Sequence, residues 1–445
     1  MNYFKTALFS FIAVVFCSGF LSAQSVNFPA PPREEKLLNG LKVLIWKDNA
    51  AQKATVKIRI HNGAAFDPKD KSGVMALLSD ILFPTEQAKA YFTEDLEGSL
   101  DVAANYDYIQ ITATGKTEEL QAILETLATA VINPQINKEN FDLVRQARLE
   151  KIADLEKNPA YVADRAIAER LYGDFPYGRN SAGTSESLAG IDAADLIKAS
   201  DRFFTADNAT VAVIGNVNSD FVYRAARRLF GGWKKSGVKI PTTFREADSP
   251  LTGKLFIAFP NSENADIYQA SRFAARNSKD YQAGLILTDI LYNRLKKTVL
   301  DFQNSNPGSQ IDVSIRSEPY FLNGIFVIGI TTPADMANAF IKTSHDQNLL
   351  RPIAAAEFEK SKNSLISTIT GSLGSKSSLA EMWLDSITYK LAAPVEQFKK
   401  LQNIALLDVT NVMQNSLANA PFVEVVVGDP VKLKDFQNNS GQTAN

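Results

Sequence analysis

Val211-Ala212-Val213-Ile214-Gly215-Asn216 is an apolar run closed by a glycine, and Val425-Val426-Val427-Gly428-Asp429 is another. Both read as buried strands, because neither alternates with polar residues. A helix start precedes each one: Ile191-Asp192-Ala193-Ala194-Asp195-Leu196 before the first, Ala405-Leu406-Leu407-Asp408-Val409 before the second. Asp195 and Asp408 are 213 positions apart, and so are Gly215 and Gly428. An offset shared by a helix and a strand points to a duplicated unit. Upstream, Asn39-Gly40 marks a turn between short β-like pieces, and residues 41–45 begin the first strand. Val56, Ile58 and Ile60 alternate with Lys57 and Arg59, the pattern of a strand with one buried face. Residues 73–83 are apolar at helical spacing. Residues 121–132 and 138–155 read as two further helices, the second strongly charged on one side. The fold class expected is α+β: two homologous lobes, each an antiparallel β-sheet packed with helices.

At 445 residues the chain is too long for one ordinary core, and 45% hydrophobic content lets both halves bury apolar surface. The formal net charge of -2 supplies no basic field, so nucleic acid is not an expected partner. Met1 to Lys5 carry one positive side chain, residues 7–20 are uncharged, and Leu21-Ser22-Ala23 has the small-residue pattern of a cleavage site. The expected divisions are a signal peptide at 1–23, a first lobe at 24–235, a linker at 236–250 and a second lobe at 251–445. The apolar run is short for a membrane-spanning helix, the alternative being an uncleaved anchor. The expected location is exported and periplasmic, with no membrane span after cleavage. Cleavage would also remove Cys17, the sole cysteine, and with it disulfides and thiolate catalysis.

Several short runs carry a family resemblance. Asn39-Gly40-Leu41-Lys42-Val43 resembles the opening strand of the pitrilysin/insulinase peptidases, the family of the mitochondrial processing peptidase. Pro176-Tyr177-Gly178-Arg179, Gly183-Thr184, Ser187-Leu188 and the run Asp207-Asn208 through Val217 resemble that family's first-lobe signature. Gly371-Ser372-Leu373 with Ser378-Leu379-Ala380, and Val427-Gly428-Asp429-Pro430, resemble parts of its second lobe. The resemblance covers about residues 30 to 435. It implies two homologous lobes forming half of a metallopeptidase clam-shell, a chamber for extended peptides, and a homodimer or heterodimer in the smaller members.

Active members carry His-x-x-Glu-His on a first-lobe helix. Two His four apart share a helical face and bind one Zn²⁺, beside a Glu that deprotonates the metal-bound water. By the flanking pattern of Gly73 to Phe83, the motif positions fall here on Ala76, Ser79 and Asp80. Ala76 has no ligand atom, Ser79 is no general base at neutral pH, and only Asp80 could touch a cation. The distant Glu of the family falls on Lys151 by local pattern, with Glu150 adjacent and Glu156 competing by spacing. The chain has two histidines, His61 and His345, so no His pair exists at helical spacing. No catalytic or metal-binding residue and no cofactor are expected, zinc included. Asp80 and Lys151 could form an ion pair where a metal once joined two helices, or each could point to water.

The second lobe of active members supplies an Arg and a Tyr that hold the substrate backbone. Those positions fall here on Leu300 and near Ile311 or Asp312, while Arg294 matches an upstream arginine of the family. Ser372 and Ser375 lie in a Gly/Ser stretch without a nominated base. Phe203, Phe204 and Trp233 read as core. The function expected is that of a catalytically inactive subunit. It would pair with a zinc-bearing family paralogue as a heterodimer and form a peptide-binding chamber, as the α subunit of the mitochondrial processing peptidase does. The alternatives are a stand-alone peptide-binding or structural protein, like the family's core subunits of a respiratory complex, and an active zinc metalloendopeptidase with an unorthodox site.

Overall fold

The computed structural model describes residues 28–237, 244–346, 348–437 and 442–443. The expected signal peptide and residues 238–243 of the expected linker lie outside the described residues. The first lobe runs β1 (Arg33–Lys36), β2 (Lys42–Lys47), β3 (Lys53–Ile60), α1 (Val74–Asp80), α2 (Glu86–Ala90), β4 (Ser99–Ala104) and β5 (Ile109–Lys116). It continues through α3 (Leu120–Ile132), α4 (Lys138–Leu155), α5 (Pro159–Tyr172), α6 (Ser185–Ala189), α7 (Ala193–Phe203), β6 (Ala209–Gly215) and α8 (Ser219–Phe230). The second lobe runs β7 (Gly253–Ala258), β8 (Asn264–Phe273), α9 (Tyr281–Ser305), β9 (Asp312–Pro319), β10 (Gly324–Pro333) and α10 (Ala337–Asp346). It ends with α11 (Ala355–Ser372), α12 (Lys376–Thr388), α13 (Pro394–Gln402), α14 (Leu406–Met413), β11 (Phe422–Gly428) and the short β12 (Gln442–Thr443).

Each lobe holds a six-stranded sheet, ordered β1-β2-β6-β3-β5-β4 in the first and β12-β7-β11-β8-β10-β9 in the second. The duplication is geometric as well as textual. Strand β6 is parallel to β2 and antiparallel to β3, and β11 repeats this between β7 and β8. Both ends of β6 and β11 keep the 213-residue offset. These central strands are mostly apolar, with Thr210 in β6 and Glu424 in β11 as the polar members, because each is packed on both faces over most of its length. The remaining pairs inside each lobe are antiparallel, apart from β12 along β7. The first strand among the described residues is β1, whose sequence Arg-Glu-Glu-Lys has no apolar period to betray it. The Asn39-Gly40 turn links it to β2, with Gly40 at φ +95°.

The lobes exchange helices. Helix α5 of the first lobe packs Ala163, Ile167 and Leu171 on the second sheet, against Tyr268, Val423, Val425 and Val427. Helix α12 of the second lobe packs Leu379, Ala380 and Leu384 on the first sheet, against Leu44, Trp46, Ala212 and Ile214. The alternation in β3 therefore has a different outcome from one buried face. Lys57 and Arg59 are buried too, because α12 covers them and supplies their counter-charges. Arg59 donates to Glu381 at 2.5 Å and Asp385 at 2.8 Å, and its guanidinium lies 3.9 Å from the Tyr108 ring centre. Lys57 pairs with Glu381, which also accepts from Gln110 at 2.9 Å. Burial pushes the Glu381 carboxyl up, but Lys57 and Arg59 outweigh it and hold the group below its usual range.

His61 closes the same seam. Thr388 Oγ1 donates to the Leu384 carbonyl at 2.9 Å, so it must accept from His61 Nδ1–H, also at 2.9 Å. Nε2 then accepts from the Thr210 hydroxyl at 2.9 Å. Burial, with Arg59 and Lys42 nearby, pushes the imidazole down to about 3, so the ring is neutral. The unfolded chain takes up this proton below its ordinary value near 6.5 while the folded one does not. His61 thus withdraws stability as pH falls from about 6.5 toward about 3. Removing Arg59 leaves two carboxylates of α12 without their buried partner. Arg59→Ala should destabilise by roughly 3–5 kcal/mol. Lys138→Ala, at an exposed pair on α4, should stay within about 0.5 kcal/mol. Urea midpoints of the two variants measure the difference; equal losses would show that the seam contributes little.

Candidate functional site

Helix α1 is set in place from its N-terminus. Asp67 accepts from the Gly73 amide at 2.7 Å and the Met75 amide at 2.9 Å. These are donors that a helix start leaves open. Gly73 itself sits at φ +101°, with a would-be Cβ only 2.8 Å from Leu188 and 2.9 Å from Gly183, so no other residue fits there. Val74, Met75, Leu77 and Leu78 then enter the first-lobe core and fix the helix's rotation. That rotation decides where Ala76, Ser79 and Asp80 point.

Ala76 and Ser79 are buried, at 3% and 2% exposure. The Ser79 hydroxyl donates to the Ala76 carbonyl at 2.7 Å, a bond within the helix that leaves it no catalytic part. Asp80 is bound by Arg148 of α4: Nε donates to Oδ2 at 2.8 Å and a terminal nitrogen to the same oxygen at 2.5 Å. That terminal nitrogen also reaches the Ala76 carbonyl at 3.2 Å. One guanidinium thus straddles positions 76 and 80, the two that the resemblance assigns to zinc-binding imidazoles.

Of the two alternatives for Asp80 and Lys151, an ion pair or two side chains in water, neither describes Asp80, whose partner is Arg148. Positions 148 and 151 are three apart on α4 and so share a face. The planar fork of the arginine holds a carboxylate and a carbonyl together. Lys151 is exposed and lines the same cleft as Ser79, Asp80 and Arg148, a space of about 590 Å³. Of the three candidates for the distant position it alone lines this cleft. Glu150 is exposed and accepts from Gln146, and Glu156 pairs with Arg165 at 2.8 Å.

The donor set does not fit zinc. A catalytic Zn²⁺ takes three protein ligands and keeps one position open. Among the described residues no group of three His, Cys, Asp or Glu is placed to hold a metal ion. His61 has both ring nitrogens engaged in the inter-lobe seam, and His345 is exposed on α10. In the second lobe Arg294 is a buried clamp, bound to Glu357 at 2.8 Å and to the carbonyls of Leu349, Arg351 and Pro352. Leu300 is exposed. Ser372 donates to the Ile369 carbonyl and Ser375 caps α12, so neither is a poised nucleophile. Phe203, Phe204 and Trp233 are core residues.

The family description Insulinase (Peptidase family M16) matches residues 42–185, and Peptidase M16 inactive domain matches residues 190–365. The chain belongs to this family. An uncharacterized zinc protease of Rickettsia felis is 24% identical over 205 residues, 45% of this chain and 50% of that protein. Cytochrome b-c1 complex subunit 1, mitochondrial, of Saccharomyces cerevisiae is 26% identical over 199 residues, 43% of this chain and 43% of that protein. The chain spans about half the length of these relatives. The crystal structure of a peptidase M16 inactive domain from Pseudomonas fluorescens has the same fold. It has a TM-score of 0.77 at 20% identity, covering 90% of this chain and 98% of that one.

Two outcomes test the site. Asp80→Ala and Arg148→Ala should be strongly non-additive in a double-mutant cycle, coupled by about 1–3 kcal/mol, because each removes the other's partner. Lys151→Ala should be near neutral; a cost comparable to that of Arg148→Ala would restore the lysine as the partner. Rebuilding the motif by Ala76→His, Ser79→Glu, Asp80→His and Lys151→Glu should not by itself give stoichiometric zinc, because Arg148 still faces the pair. Adding Arg148→Ala should raise the zinc content, and tight zinc binding before that step would contradict the arrangement.

Proposed function

We propose that this chain is a catalytically inactive insulinase-family subunit, exported to the periplasm, that pairs with a zinc-bearing relative and holds extended peptides in a shared chamber. The observation that carries this reading is the Arg148 guanidinium across positions 76 and 80, beside an intact cleft. The cleft keeps what a peptide needs. Its wall includes Leu100, Asp101 and Val102 of β4, the edge strand of the first sheet. An edge strand offers main-chain donors and acceptors to another extended chain, and binding by strand addition needs no metal. Leu143, 45% exposed on α4 in the same cleft, adds an apolar contact. The likeness to a b-c1 complex subunit supports a second reading, a subunit serving architecture alone.

The purified chain should show no peptidase activity, and activity should appear on mixing with a zinc-bearing relative. An extended peptide should bind, and N-methylation at alternate residues should abolish binding by removing the main-chain donors. Peptide binding indifferent to N-methylation would reject strand addition. Stoichiometric zinc with chelator-sensitive cleavage by the chain alone would reject the inactive assignment. Assembly into a complex with neither peptide binding nor activity would favour the architectural reading.

A further inference from the structure

Charge in the cleft between α1, α4 and β4 is mostly cancelled within it. Asp80 and Arg148 are bound to each other, and Glu86 and Lys89 of α2 pair at 2.7 Å. Asp101 of β4 borders the cleft, but its side chain is turned away from the helices. Leu100, Val102 and Ala104 of the same strand pack against the first-lobe core. Alternation along the strand sends Asp101 to the opposite face of the sheet, the face of its register partner Thr112 and of Lys57 beyond it. On the helix side, among the described residues, this leaves the ammonium of Lys151, exposed and without an ion-pair partner.

Lys151 ends a row. Leu143, Ala147 and Lys151 follow one another at four-residue intervals on α4, and all three line the cleft. They share one helix face and rise about 6 Å per step. Along the cleft wall the row is apolar, then small, then cationic. The position that the resemblance gives to a metal-binding glutamate thus carries the opposite charge. A strand added to β4 continues the pleat of the sheet. Every second side chain of a bound peptide therefore faces the α4 row, and the others face the side of Asp101.

We propose that the strand addition at β4, on which this rests, selects peptides with an acidic side chain on the same face as their aliphatic ones. The carboxylate meets Lys151, and an aliphatic side chain an even number of positions away covers Leu143, which is 45% exposed. The preference is tied to register. An acidic residue moved by one position turns to the other face and meets the like charge of Asp101.

Fluorescence anisotropy of the purified chain with labelled, amidated Thr-Leu-Thr-Ala-Thr-Glu-Thr-Leu reads the preference. This peptide should bind about threefold more tightly than the same peptide with Gln in place of Glu, the scale of one exposed charge pair. The difference should shrink in high salt. Lys151→Gln, an exposed change, should erase it. Lys151→Glu should invert it, so that a peptide with Lys in place of Glu binds best. The shifted peptide Thr-Leu-Thr-Ala-Glu-Thr-Thr-Leu should lose the advantage. Equal affinity for the Glu and Gln peptides overturns the proposal, as does a preference that Lys151→Glu leaves intact. In either case, binding that N-methylation still abolishes leaves strand addition standing by itself. No binding of any of these peptides overturns both.

Discussion

Arg148 gathers the Asp80 carboxylate and the Ala76 carbonyl into one planar contact, and the chemistry available to the cleft follows from it. In a metal-bearing helix pair a divalent ion neutralises the ligands and ties the helices together. Here a guanidinium does both, with a charge that is permanent at any physiological pH and no orbital to offer a water molecule. It lowers no water pKa and polarises no carbonyl as a Lewis acid would. The partly buried setting, 11% exposure at Arg148 and 33% at Asp80, makes each partner depend on the other.

The same exchange of charge for packing recurs at the inter-lobe seam. Arg59 has no exposed surface, and its carboxylate partners come from a helix more than three hundred residues later in the chain. Because α5 lies on the second sheet while α12 lies on the first, neither lobe covers its own sheet completely. The apolar halves of the two interfaces supply area, and the Lys57–Arg59–Glu381–Asp385 cluster sets the orientation, since charges buried out of register would be costly.

The duplicated fold was legible because its strongest signals are local. A largely apolar strand ending in glycine survives in both copies, and α4 covers residues 138–155 as expected, although its charges lie on all sides and only Phe141, Val144 and Ile152 are buried. What stayed hidden depends on contacts between distant segments. Strand β1 has no apolar alternation at all. Lys57 and Arg59 look like a solvated face until α12 is placed over them. His61 looks like a strand-end residue until Thr210 and Thr388 take its nitrogens. At the cleft, the loss of metal ligands could be read from residue types alone. The replacement partner could not, because Arg148 and Lys151 are equally plausible on a helical wheel. Only the reach of one side chain over α1 separates them.

Catalysis and binding place different demands on a sequence. By the resemblance, the zinc chemistry of the family resides in a few side chains, and the residues at their positions here, Ala76, Ser79, Asp80 and Lys151, do not supply a zinc ligand set. The strand addition proposed above would use the backbone of β4, whose amides and carbonyls remain whatever side chains are present. A helix pair that lost its metal without replacing the charge would loosen the wall of that cleft. Arg148 joins α1 and α4 through Asp80 and the Ala76 carbonyl, at one wall of the cleft that β4 also lines. Evolution can therefore discard the reaction and retain the shape, provided that one cation stands in for another.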